Sequence, residues 1–307
     1  MRGESVEGEN SKYVVVAENL VKIYKTKDIE VLALQGLDIQ IERGEIMAII
    51  GNSGSGKSTF LNMVGGLDRP SAGSLMVDGK NLFKMSDTAL DEYKTNTVGF
   101  VWQNNARNLI PYLTALENVM MPMQFNSEKP VKNKKKRAIE LLDLTGIRMR
   151  ARHRLSELSG GEQQRVAIAL SLANYPAILL ADEPTGSVDT RTSDMIMDMF
   201  RSVNKELGTT IIIVTHDRDI SKKVERVVAM RDGKTSSEFI MSYTEKLAGM
   251  EGFAEGEAVE FAVLDRAGRV QIPRELLDKM GLDGNRLQVK MDENNNVVLS
   301  APKKVFK

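Results

Sequence analysis

Three groups of residues along this 307-residue chain have the types and spacing for phosphate chemistry. Gly51-Asn52-Ser53-Gly54-Ser55-Gly56-Lys57-Ser58 fits the spacing G-x-x-x-x-G-K-[ST] and runs into Thr59, Phe60 and Leu61, which open a helix. Glycines in such a turn let backbone N–H groups curl around phosphate oxygens, and the following helix N-terminus adds its positive dipole end. In that arrangement Lys57 reaches the β- and γ-phosphates and the Ser58 hydroxyl ligates Mg²⁺. The apolar run Met47-Ala-Ile-Ile50 just before it supplies the strand that the motif requires. The pattern means nucleotide binding, although many unrelated enzymes share it.

The second group is Leu158-Ser159-Gly160-Gly161-Glu162-Gln163-Gln164, ahead of a helical apolar run (Val166, Ala167, Ala169, Leu170, Leu172). A hydroxyl, bare amides and a dipole end suit a second phosphate-binding surface. One chain cannot easily bring two such surfaces to one γ-phosphate, whereas two copies can sandwich the ligand. The third group is Asp182-Glu183, at the tip of the apolar run Ala177–Ala181. An acid at the C-terminal end of a parallel strand lies where α/β sheets bind ligands. Asp182 is expected to hold Mg²⁺, and Glu183 to orient or deprotonate the attacking water. His216 follows another apolar run and, by itself, reads as a structural strand-end residue.

The elements that must position these residues are legible as well. Met47–Ile50, Ala177–Ala181 and Thr210–Thr215 are short continuous apolar runs, the pattern of strands buried on both faces of a parallel sheet. Leu34, Leu37, Ile39 and Ile41 alternate more loosely and Met76-Val-Asp-Gly79 suggests a hairpin, so an antiparallel side sheet is expected. Helical periodicity covers Lys132–Thr145 behind the basic run Lys134-Lys-Lys-Arg137, which reads as a solvated helix start. A Gly-, Ser- and Glu-rich stretch then precedes a short β-rich tail. The expected division is a loose tail over 1–12, an α/β domain over 13–235, a linker over 236–257 and a small domain over 258–307.

Composition narrows the class. Apolar residues make up 42% and charged residues 27%, as in globular proteins. Basic and acidic residues balance at 42 each, so no global charge draws the chain to nucleic acid or anionic lipid. Cysteine is absent, which excludes disulfides and thiolate metal sites. Apolar runs such as Ile46–Ile50 fall far short of the ~20 residues that span a bilayer. The polar, acidic N-terminus has no signal-peptide core. A membrane role is therefore expected to come through a partner.

Together, the loop at Gly51, Gln103, the Leu158-Ser-Gly-Gly-Glu-Gln signature, Asp182-Glu183 and His216 resemble the ATP-binding-cassette family over about Val14 to Lys234. The resemblance implies an α/β phosphate-loop ATPase cassette with a mixed central sheet, an antiparallel side sheet and a helical subdomain. It implies ATP and Mg²⁺ as ligands, hydrolysis within a homodimer, and a membrane permease as partner, on the inner face of the cell membrane. It also implies roles that spacing does not show. Tyr24 corresponds to the aromatic stacked on adenine and Gln103 to the residue that touches Mg²⁺ and reports to the permease. Asp189 corresponds to the aspartate of the loop after the catalytic acid, His216 to the switch histidine near the γ-phosphate, and Gln163 belongs to the signature. Leu67-Asp-Arg-Pro70, Leu113-Thr-Ala-Leu-Glu-Asn118 and Ala181-Asp-Glu-Pro-Thr-Gly186 look like the macrolide-exporter and lipoprotein-release class. Two departures from the family are the polar stretch Val101-Trp-Gln-Asn-Asn-Ala-Arg107 and Ser187-Val188 in place of Asn-Leu.

The tail resembles the swapped-hairpin family of AbrB-like regulators, through Gly268-Arg-Val-Gln-Ile-Pro273. That resemblance implies a module in which two chains interlock, with arginines such as Arg266, Arg269, Arg274 and Arg286 as the family's DNA-binding type of residue. From Phe253 to Lys307 nine acidic and nine basic side chains balance, so dimerisation is favoured over nucleic acid. A soluble ABC ATPase with a DNA-binding regulatory tail is the alternative.

Overall fold

The structure is a computed structural model. It describes residues 12–25, 29–103, 108–126, 128, 130–186, 189–217, 220, 223–240, 259–264, 268–270, 272, 274–280, 287–293 and 295–301. The chain opens with long strands β1 (Tyr13–Lys25) and β2 (Glu30–Glu42), then β3 (Ile46–Ile50) and helix α1 (Lys57–Val64). Next come β4 (Ala72–Val77), β5 (Lys80–Asn81), α2 (Asp87–Asn96) and β6 (Val98–Val101). Helices α3 (Ala115–Phe125), α4 (Lys134–Leu144) and α5 (Gly160–Ser171) precede β7 (Ile178–Asp182), α6 (Thr190–Leu207) and β8 (Thr210–Thr215). The chain continues through β9 (Arg226–Arg231), β10 (Lys234–Ile240) and β11 (Val259–Ala262). It ends on α7 (Arg274–Lys279) and a hairpin of β12 (Gln288–Met291) and β13 (Val297–Ser300).

The main sheet has the order β11-β10-β9-β3-β8-β7-β6, and the side sheet the order β2-β1-β4-β5. Strands β9, β3, β8, β7 and β6 are parallel, whereas β10 and β11 join antiparallel, so the sheet is mixed as expected. Its central strands are buried on both faces because their side chains alternate between two cores. Leu179, Ala181, Ile211 and Ile213 pack with the helices α3 to α6. Ile178, Leu180, Ile212 and Val214 pack with α1 and the side sheet. The β4–β5 turn has positive φ at both Asp78 (48°) and Gly79 (73°), the geometry that suits a two-residue hairpin. Arg226 pairs with Glu45 and Glu238 and donates to the Gln40 carbonyl at 2.8 Å, tying the two sheets together.

The helical region is pinned by polar residues at the start of α3. Thr114 and Glu117 form a reciprocal capping box at the start of α3. Asn118 is fully buried and donates to the carbonyls of Ile110, Leu113 and Thr114 while accepting from the Ile110 N–H. A buried amide with its groups satisfied in this way fixes the preceding loop.

Composition placed the start of the tether at Ser236, but β10 runs on to Ile240. Ladder hydrogen bonds to β9 hold this stretch in the sheet, and Ser237 is buried. The first strand of the tail, β11, then pairs with β10, Ser237 opposite Ala262 and Ile240 opposite Val259. Residues 1–11, 241–258 and 302–307, together with Asn104–Arg107, Ser187-Val188, Arg266, Pro273 and Arg286, lie outside the described residues. Among the described residues, no helix is long and apolar enough to cross a membrane.

Candidate nucleotide-binding site

Parallel pairing puts the C-terminal ends of β3, β7 and β8 on one edge of the sheet. Ile50 lies opposite Thr215, and Asp182 opposite Val214. That register brings the phosphate loop, Asp182, Glu183 and His216 together from distant parts of the chain. The loop itself needs two of its glycines for steric reasons. A Cβ on Gly51 would lie 2.3 Å from the Met230 carbonyl oxygen, and one on Gly56 (φ 97°) 2.7 Å from that of Ala33. Asn52, Ser53 and Gly54 are exposed at its crest, and a pocket lined by these residues, Ser55 and His216 opens beside it.

Lys57 is buried and its ammonium donates to the carbonyl oxygens of Gly51 (2.8 Å) and Asn52 (3.0 Å), so it is folded back across the loop. Burial lowers its pKa below the ordinary lysine value, and the carboxylates of Glu183 and Asp182 oppose that shift. A cation folded across a glycine-lined turn that opens a helix fits a polyphosphate. Ser58 Oγ donates to Asp182 Oδ1 at 3.3 Å. Two hard oxygens so near each other fit Mg²⁺, which takes one or two protein oxygens and completes its shell with phosphate and water. No cluster of three or more His, Cys, Asp or Glu side chains that could hold a metal occurs among the described residues, in keeping with such a sparse site. Gln103 is exposed beyond β6, and its amide nitrogen lies 3.5 Å from where a Cβ on Gly186 would be, so it stands over the turn that follows Glu183.

Glu183 has φ 48°, an unusual left-handed conformation for a glutamate, which costs on the order of 1 kcal/mol. Three contacts hold its carboxylate and leave an acceptor site open. Thr215 Oγ1 donates to Oε2 at 3.0 Å, while the His216 backbone N–H (3.0 Å) and ring Nδ1 (2.7 Å) both meet Oε1. An ionised carboxylate only accepts, so Nδ1 carries the proton and Nε2 is left for another partner. The histidine is therefore a partner of the acid, a role that its place after an apolar strand did not suggest.

The signature residues sit elsewhere. Ser159 is the N-cap of α5 and forms a capping box with Glu162, whose carboxyl is held below the usual range, first by the Ser159 N–H. A Cβ on Gly161 would come 3.1 Å from Thr192 Cγ2 in α6, whereas nothing lies within 4 Å of the corresponding point on Gly160. Gln163 donates to the carbonyls of Leu155 (2.9 Å) and Leu158 (3.2 Å) and so braces the turn leading into the signature. Asp189 caps α6, accepting from the Thr192 N–H and hydroxyl at 2.9 Å each. The Thr192 N–H is the main cause of its lowered pKa. Tyr24, at the far end of β1, is 40% exposed, and its hydroxyl donates to Asp68 Oδ2 at 2.7 Å. Thr215 and Asp68 are the contributors that motif reading missed. Each acts through a contact between distant segments.

Comparison with known proteins agrees with this geometry. The family pattern described as ABC transporter matches residues 34–186. An uncharacterized ABC transporter ATP-binding protein of Thermotoga maritima is 44% identical over 223 residues, which cover 73% of this chain and 94% of that protein. A solved ATP-binding cassette, dimeric in a post-hydrolysis state with ADP and Pi, is 40% identical with a TM-score of 0.66. The match covers 73% of this chain and 97% of that one. CbiO1 of Clostridium perfringens, described as part of the ABC transporter complex cbiONQ, is 32% identical with a TM-score of 0.68, covering 78% and 92%. With a phosphate loop, a strand-end acid pair and a capped signature helix on this fold, the chain belongs to the ABC transporter family, as an ATP-hydrolysing ATP-binding subunit.

Proposed function

We propose that two copies of this chain close around two ATP molecules and drive a separate membrane permease of the macrolide-exporter and lipoprotein-release class. The observation that carries this reading is the division of the phosphate-binding groups. The loop, Asp182, Glu183 and His216 share one sheet edge, while Ser159 to Gly161 cap a helix that packs beside α6. A second copy supplies the missing half of each site. Asn52 to Thr59 cradle the phosphates, Lys57 swings from its loop carbonyls to the β- and γ-oxygens, and Tyr24 stacks on adenine. Ser58, Asp182 and Gln103 hold Mg²⁺, which when bound neutralises charge on the phosphate oxygens. Glu183 takes a proton from the attacking water as its oxygen bonds the γ-phosphorus and the bond to ADP breaks. His216 keeps the carboxylate in place. Ser159, Gly160, Gly161 and Gln163 act from the opposite copy, and Asp189 orders the helix beside them.

A groove of Phe100, Trp102, Pro122, Phe125 and Asn174 supports the permease partner. Phe100 and Trp102 stack at 3.9 Å, and Phe125 is 72% exposed. A large aromatic presented beside an open groove is the anchor type that protein interfaces use. In native cells the chain is expected at the inner face of the membrane through that contact. Phe125→Asp should release it from the membrane fraction while the purified protein still hydrolyses ATP. Unchanged membrane association would remove the groove from the permease contact.

The hairpin β12–β13 supports the AbrB-like reading of the tail. Val289 and Met291 face Leu299 and Val297 across it, so one face carries four apolar side chains, and Val289, Met291 and Val297 are each at least 64% exposed. Interlocking with a second tail covers that face, and units near 40 residues usually need such a partner. The full chain is then dimeric with or without ATP, whereas a chain shortened to Lys246 is monomeric without nucleotide. Light scattering on both decides it, and a nucleotide-free monomer of the full chain refutes the clamp.

A further inference from the structure

Tyr24 does not project freely from β1. Its hydroxyl donates to Asp68 Oδ2 (2.7 Å). Lys22 Nζ bonds Asp68 Oδ1 (2.5 Å) and the Arg69 carbonyl (2.9 Å), and lies 4.8 Å from the centroid of the Tyr24 ring. The Arg69 N–H donates to Asp68 Oδ1 at 2.8 Å. Lys22 keeps only 11% of its side chain exposed and Asp68 only 27%, so the pair is sheltered enough to hold a fixed geometry. Burial pushes the Asp68 carboxyl up, but the hydrogen bonds from Lys22, Tyr24 and Arg69 outweigh it and leave the pKa below the usual aspartate value. Asp68 lies just past α1, the helix that the phosphate loop opens.

From this geometry we infer that Asp68, with Lys22, is a positioning pair that fixes the Tyr24 ring at a set distance from the phosphate loop, so that base and phosphates are recognised as one rigid unit. The inference rests on the reading of Tyr24 as the adenine platform. One face of the ring is covered by the Lys22 ammonium, so a base stacks on the other. An ammonium behind the ring also adds a cation–π contact that holds the ring's tilt. Without the tether, Tyr24 would have to be ordered at the moment of binding, and that ordering costs affinity. The effect should fall on nucleosides with a base and spare the bare phosphate chain.

The test compares binding of ATP and of inorganic tripolyphosphate by calorimetry to the full-length protein and its variants. Tyr24→Phe keeps the ring and removes only the hydroxyl that Asp68 holds; Asp68→Ala removes the other half of the bond. A single hydrogen bond of this kind is worth about 0.5–1.5 kcal/mol, so each should weaken ATP binding about two- to twelvefold and leave tripolyphosphate binding unchanged. The double variant should be no weaker than Asp68→Ala alone. If Tyr24→Ala weakens ATP binding while Tyr24→Phe and Asp68→Ala do not, the stacking stands and the positioning role is wrong. If Tyr24→Ala leaves ATP binding unchanged, the platform itself is misassigned. Equal loss of ATP and tripolyphosphate binding in Asp68→Ala would mean that Asp68 holds the loop fold instead, and would overturn the inference.

Discussion

Glu183→Gln should bind ATP as tightly as the natural chain and hydrolyse it about 10²–10⁴-fold more slowly, the usual range for loss of a general base. The amide keeps the shape of the carboxyl, with its oxygen accepting from His216 and its NH2 donating to the Thr215 hydroxyl, so the packing between β7 and β8 survives. What it cannot do is take a proton from water. The backbone penalty at φ 48° is the same for either residue, so the substitution adds no new strain. Because ATP then stays intact between the two copies, the closed dimer should accumulate and be visible by gel filtration in ATP. The essential measurement is single-turnover hydrolysis in the purified variant. Turnover at the natural rate would take the water-handling role away from Glu183.

Mixing two inactive chains should restore activity. In Ser159→Arg a long cation replaces the hydroxyl that caps α5, and loss of such a cap costs about 0.5–2 kcal/mol. Lys57→Ala removes the charge that lies across the phosphate loop. Each homodimer has both its sites spoiled. In the heterodimer, Lys57 of one chain meets Ser159 of the other, and one site is whole while the second carries both lesions. About half the natural turnover is the ceiling if the sites work independently, and a detectable fraction of it suffices. Thermal melts of each variant guard against simple unfolding. Absence of recovery in heterodimers verified by differential tagging would mean that each chain completes its own site.

The fold was legible where its cues are contiguous. Ile178–Asp182 and Thr210–Thr215 read as strands because unbroken apolar runs suit a sheet covered on both faces, and both are buried there. The tether was misjudged at its start because Ser236, Ser237 and Glu238 are polar, while their place was decided by a ladder with β9. The place of such a strand is set by backbone pairing with its neighbours, which residue types report poorly. In the candidate site, Lys57, Ser58, Asp182 and Glu183 were readable from residue type and spacing. The partnership of His216 with Glu183 was not, because 33 residues separate them and only the register of β7 against β8 makes them neighbours.

Within this protein the amino-acid sequence by itself determined the chemistry of each short segment. Spaced glycines, a lysine and hydroxyls are required for a phosphate cradle wherever it sits, and the backbone geometry they permit is local. The capping boxes at Thr114 and Ser159 are local in the same sense, closed within one helical turn. Only the tertiary structure decided which segments meet. It set Gly51, Asp182 and His216 on one edge, tied Tyr24 to Asp68 across 44 residues, and laid β11 along β10. The physical reason is that such contacts depend on strand order and register. These are fixed by how two hydrophobic cores are buried on opposite faces of one sheet, and no single stretch of residues carries that information.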